Sequence, residues 1–125
     1  MGSATLVEDK IRAGKTLVTA LDQAGFEVKS AFWLHSADDD TWQLVIASPI
    51  IGTIGPKQSY SRLHSLLSGI PLSSSEVSLV KNTEPIVELL RTAIKTEPTG
   101  TSEIRFKGNT VNGVLIDDAV IYRST

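Results

Sequence analysis

A chain of 125 residues, 41% apolar and 21% charged with a formal charge of −2, has the composition of a folded, nearly neutral domain, and at this length roughly two thirds of the unfolded surface can be buried in one core. Twelve basic residues against fourteen acidic ones supply no basic field of the kind that draws nucleic acid or anionic membranes, and no apolar run approaches the ~20 residues of a membrane span. The lack of cysteine removes disulfides, thiolate nucleophiles and thiolate metal sites.

The opening segment MGSATLVEDKIRAGKTLVTAL carries no basic head followed by an apolar stretch, so no secretory signal is expected and the cytoplasm is the expected location. Thr5 stands three residues before Glu8, the spacing of a capping box, and places a helix start there. Val7, Ile11, Gly14, Val18 and Leu21 recur at intervals of four and three, with Leu17 widening the stripe. Gly25 is positioned to end this helix in a left-handed cap.

The period then changes. Val28, Ser30, Phe32 and Leu34 alternate with Lys29, Ala31, Trp33 and His35, which predicts a strand. A polar SADDD turn leads to a second strand, TWQLVIAS, and pairing Leu34 with Trp42 sets Phe32 opposite Leu44 and Ser30 opposite Ile46. Pro56 suits the first turn of a second helix, with Tyr60, Leu63 and Leu67 at core spacing. The connection GIPLSSSE, a short strand VSLV and an amphipathic helix with Ile86, Leu89, Leu90, Ala93 and Ile94 on one stripe follow, the helix being stopped by Pro98 and Gly100. The final segment contains Asn112-Gly113, a strong signal for a type I′ hairpin turn.

No repeat or linker divides this order, so residues 1–125 are read as a single α+β domain. The expected architecture is a two-layer α/β sandwich in the order αββαβαββ, with about five mainly antiparallel strands and the three helices on one face.

Candidate sites are few. SPIIGTIGPKQSYSRLH (48–64) joins glycines to a lysine ahead of a helix, but Gly52 and Gly55 are too close together for a phosphate loop, and Pro56 stands where that loop has its lysine. A weaker anion site built on Lys57 and Ser59, with His64 two helical turns beyond Lys57, remains compatible with the sequence. His35 near Asp38, Asp39 and Asp40 lacks the spacing of a calcium loop, and Glu27 with Lys29 lacks the partner aspartate of a nuclease, so neither a metal nor another cofactor is expected. No G-x-S-x-G nucleophile elbow is present.

The last hairpin is more informative. An Asn112-Gly113 turn pairs Thr110 with Leu115, Phe106 with Ala119 and Ile104 with Ile121 on one face, and Asn109 with Ile116 and Arg105 with Val120 on the other. The strand from Val114 to Tyr122 is thus apolar on both faces, the mark of a doubly covered strand or of one that meets another chain. With all helices on one face, the expectation is a partner surface on the open side of the sheet around Ile116, Val120 and Tyr122, with Trp33 beside them. Gly108 and Asn109 weaken this pairing and admit a local bulge.

Taken together, AFWL (31–34), WQLVIASP (42–49) and IRFKGNTVNGVLIDDAVIYR (104–123) resemble a group of short bacterial proteins without assigned function. The resemblance covers most of the chain and implies a prokaryotic, cytoplasmic, free-standing domain, with no catalytic or binding residues to transfer. The leading expectation is a non-enzymatic, self-associating protein-interaction module, its partner a second copy or another protein. The alternative is a small enzyme or ligand-binding domain with an anion-accepting pocket between residues 49–57 and the sheet.

Overall fold

The computed structural model describes residues 8–97 and 100–125. Among these, α1 (Glu8–Gln23), β1 (Ser30–Ser36), β2 (Thr41–Ala47), α2 (Ile50–Leu66), β3 (Val77–Val80), α3 (Pro85–Ala93), β4 (Ile104–Val111) and β5 (Val114–Ser124) follow in the expected order, with one short 3-10 turn at Ser74–Glu76. The five strands form an open sheet in the order β3-β2-β1-β5-β4. Every junction is antiparallel except β2 with β3, which run parallel across α2. The α+β class and the mainly antiparallel sheet are therefore as the patterning implies.

Helix α1 buries the stripe Ile11, Ala13, Gly14, Leu17, Val18 and Leu21, while the capping box at Thr5 and the first stripe residue, Val7, lie outside the described residues. Its end is a Schellman motif. The Phe26 N–H donates to the Leu21 carbonyl and that of Gly25 to Asp22, with Gly25 at φ +80, and the Phe26 and Leu21 side chains both enter the core.

Strands β1 and β2 pair one residue away from the expected register: Leu34 faces Gln43, Phe32 faces Val45 and Ser30 faces Ala47. The turn sets the offset, because Asp40 adopts φ +52 and residues 37–40 form the whole connection between Ser36 and Thr41. The β4–β5 hairpin has the predicted register, with Ile104 opposite Ile121 and Val111 opposite Val114. Asn112 and Gly113 take the positive φ values, 49° and 81°, that a type I′ turn demands. Gly108, at φ +62, is missing from the ladder between Lys107–Asp118 and Asn109–Ile116.

The helices correct the two-layer expectation. One core cluster joins α1 and α2 to Ala31, Trp33, Leu44, Ile46, Val120 and Tyr122. The second joins Val87 and Leu90 of α3 to Phe32, Val45, Ala47, Ile116, Ala119 and Ile121. Successive residues of a strand point to opposite faces, so α3 lies across the sheet from α1 and α2, and the central strands are covered twice. Helix α3 ends earlier than expected: Ile94 is already extended, and Pro98 lies outside the described residues.

Candidate functional site

The residues marked out as an open interface lie inside this fold. Trp33, Val120 and Tyr122 are buried beneath α1, where the Tyr122 hydroxyl donates to the Ile11 carbonyl at 2.6 Å and accepts from Trp33 Nε1 at 2.9 Å. Ile116 is buried too, but in the cluster that includes α3. Even spacing would put Ile116 and Val120 on one face, but the two fall in different core clusters. The correction has one physical cause: β5 is a central strand of a sheet packed on both sides.

The 49–57 segment also differs from its expected form. It is helical from Ile50, and Gly55 (φ 84°, ψ 163°) kinks it just before Pro56. Ser59 is buried and its hydroxyl donates to the Gly55 carbonyl at 2.7 Å, the bond that closes the first turn after the kink. Lys57 and His64 are exposed, and the hollow beside His64 is lined by Leu67, Ser68, Leu72, Ser73 and Ser74 rather than by Lys57. The three residues form no common anion cradle.

A different group of side chains converges at the end of the sheet where the β1–β2 and β4–β5 turns lie. His35, with 3% of its side chain exposed, is held between two carboxylates. Its Nδ1 contacts Asp117, and its Nε2 lies 2.8 Å from Asp40 Oδ1. An imidazole can donate from both nitrogens only when protonated. Burial of the ring opposes that charge, but the hydrogen bonds and negative charges of Asp40 and Asp117 outweigh it and raise the His35 pKa above its ordinary value.

Trp42 packs against the imidazole, with ring centroids 5.1 Å apart and planes tilted by 51°. The Arg105 guanidinium lies 5.9 Å from the Trp42 ring and grips Asp118 through two bonds of 2.8 and 2.6 Å. Burial pushes the Asp118 carboxyl up, yet Arg105 more than compensates and holds it below the usual carboxylate range. The end of the sheet is thus braced by alternating charge and aromatic groups.

Beside this brace opens a cleft of about 370 Å³, bordered by Leu34, Ile86, Val114, Leu115, Ile116 and the His35–Asp117 pair. Val114 and Leu115, 47% and 65% exposed, are the exposed large apolar residues among those described. They lie where β5 runs past the end of its pairing with β1, which stops at His35–Asp118, so the tip of the β4–β5 hairpin projects as a two-stranded arm.

Both nitrogens of His35 are occupied by carboxylates, so neither is directed at a substrate proton. The Thr41 hydroxyl at the cleft donates to Asp39 at 3.0 Å and is not paired with the imidazole. Asp40 and Asp117 approach opposite nitrogens of the ring, so the three side chains do not converge on one point as metal ligands must. Sequence proximity suggested Asp38–Asp40 around His35, but the second clamp, Asp117, is 82 positions away. No local feature of the sequence marked Asp117 as that partner. No known protein family, curated protein or solved structure matches the chain.

Proposed function

We propose that the protein is a non-enzymatic interaction module that pairs with a second copy of itself through the cleft end of its sheet. The observation that carries this reading is that exposed Val114 and Leu115 stand at the lip of a cleft bordered by Leu34, Ile86 and Ile116. Knob and socket on one surface suit an isologous twofold contact, in which each copy offers Leu115 to the other's cleft. Charge favours the same occupant: exposed Asp38 and Asp39 lie on the turn on one side of the arm and exposed Lys107 on β4 on the other, so a twofold rotation sets acidic side against basic side.

Pairing through a sheet edge is less suited. Strand β3 is only four residues long, and β4 carries Lys107 and the left-handed Gly108 in its middle, features that blunt an edge. No helix among the described residues is long and apolar enough to cross a membrane. A bacterial origin and a cytoplasmic location complete the proposal on the strength of the resemblance in the three quoted segments.

Sedimentation equilibrium tests it. The wild-type protein is expected to form a reversible dimer, and Leu115→Asp to remain monomeric with an unchanged melting temperature, because Leu115 contributes little to the monomer core. A wild-type protein that stays monomeric up to its solubility limit would overturn the reading.

A further inference from the structure

Resting on that reading of the cleft, we propose that pairing is gated by His35, whose doubly bonded imidazolium ties the 37–40 turn to the β5 arm and so fixes the lip that a second copy meets. The geometry supplies the device. The ring is buried, one nitrogen bonds Asp117 on the arm and the other Asp40 on the turn, and Asp117 is itself one of the residues bordering the cleft.

Neutral imidazole has one N–H and one lone pair, so on deprotonation one carboxylate is left facing a lone pair and is expelled. Both carboxylates sit on irregular backbone. Asp40 is half exposed in a turn at φ +52, and Asp117 occupies the place where the β4–β5 ladder lacks its Gly108 rung. Release at either point loosens the lip.

The charges around the ring agree with this assignment. The turn presents Asp39 as well as Asp40; hydrogen bonds from Ser36 and Thr41 chiefly hold the Asp39 carboxyl below its ordinary value, and the His35 charge adds to them. Strand β5 presents Asp117 and Asp118, Asp118 being neutralised by Arg105 of β4. Arg105 is compensated by that pair, and Trp42 of β2 packs against both the guanidinium and the imidazole, so the carboxylates of Asp40 and Asp117 dominate at the ring. Protonated His35 belongs to the paired state; association is therefore tight below the titration of His35 and weakens as pH rises through it.

The test is sedimentation equilibrium from about pH 5 to about pH 9, the range across which a histidine titrates, with the His35 ring followed in parallel by NMR. The wild-type dissociation constant is expected to rise at least about tenfold as His35 loses its proton, the factor that one unit of pKa coupling carries. His35→Gln should remove this dependence, and Asp40→Asn, which preserves the turn but removes one clamp, should move the transition to lower pH. His64→Gln, altering the exposed imidazole, should leave it intact. Association that stays constant while the His35 ring titrates would overturn the gate and leave the self-association reading standing. No association at any pH would overturn both.

Discussion

Gly14 of α1 shows how far one missing atom reaches. A Cβ there would lie 2.3 Å from the Tyr122 hydroxyl oxygen and 2.8 Å from two of its ring carbons, so the helix can approach the sheet only as glycine. That approach lets the Tyr122 hydroxyl link Trp33 Nε1 to the Ile11 carbonyl, satisfying the polar tips of two buried aromatic side chains. Burial drives the Tyr122 pKa above the ordinary tyrosine range despite the Trp33 hydrogen bond. Gly→Ala within a helix ordinarily stabilises by about 0.5–1 kcal/mol; Gly14→Ala is instead expected to cost about 1–3 kcal/mol through overpacking. Urea denaturation decides the sign, and a gain in stability would refute the contact. The sequence put Gly14 on the core stripe and Tyr122 on the doubly apolar strand, but that one packs on the other depends on residues 108 positions apart.

At the scale of elements, turn chemistry separates what was legible from what was not. Asn112-Gly113 admits one two-residue turn geometry, and the β4–β5 register followed from it. SADDDT contains no comparable dipeptide, and its register is one residue from the alternation-based pairing because the backbone conformation at Asp40 sets it. Helix α2 makes the same point through glycine. Gly55 has φ 84° and ψ 163°, a region essentially closed to residues with a side chain, and it turns the chain so that Pro56 can start the second segment without a missing hydrogen bond. Gly55→Ala should cost about 1–3 kcal/mol. At Gly52, where an added Cβ meets only the flexible Lys81 side chain at 3.6 Å, alanine should be neutral or slightly stabilising. Denaturation midpoints of the two variants test the contrast; equal effects would place the kink elsewhere.

For the whole molecule, the ion pairs predict a stability that falls on both sides of mildly acidic pH. His35 has a raised pKa in the folded protein, so its contribution is complete below the unfolded histidine value of about 6.5 and is lost as pH rises through the folded value. Asp118 and Glu76 behave oppositely. Burial raises both, but Arg105 on Asp118, and Lys10 with the Ser73 N–H on Glu76, hold their pKa values down, so their contributions are present above about pH 4 and vanish as pH falls through the lowered values. The melting temperature is therefore expected to be highest between about pH 4 and about pH 6.5, and His35→Gln to flatten the alkaline limb alone. Calorimetry at a series of pH values checks this, and an alkaline limb retained in His35→Gln would assign it to another group.

By itself the sequence determined the kinds and order of the elements, the end of α1 at Gly25, the β4–β5 register and the presence of a strand apolar on both faces. These depend on periodicity, capping and turn conformation, which act over a few neighbouring residues. Only the tertiary structure decided that α3 covers the face opposite α1 and α2, which turned Trp33, Val120 and Tyr122 from candidate surface into core. The same packing joined His35 to Asp117 and left Val114 and Leu115 exposed at a cleft. Which face a helix takes, and which distant side chain meets a buried ring, depend on burying all apolar surface at once and leaving no charge unpaired, conditions on the whole chain that no local segment carries.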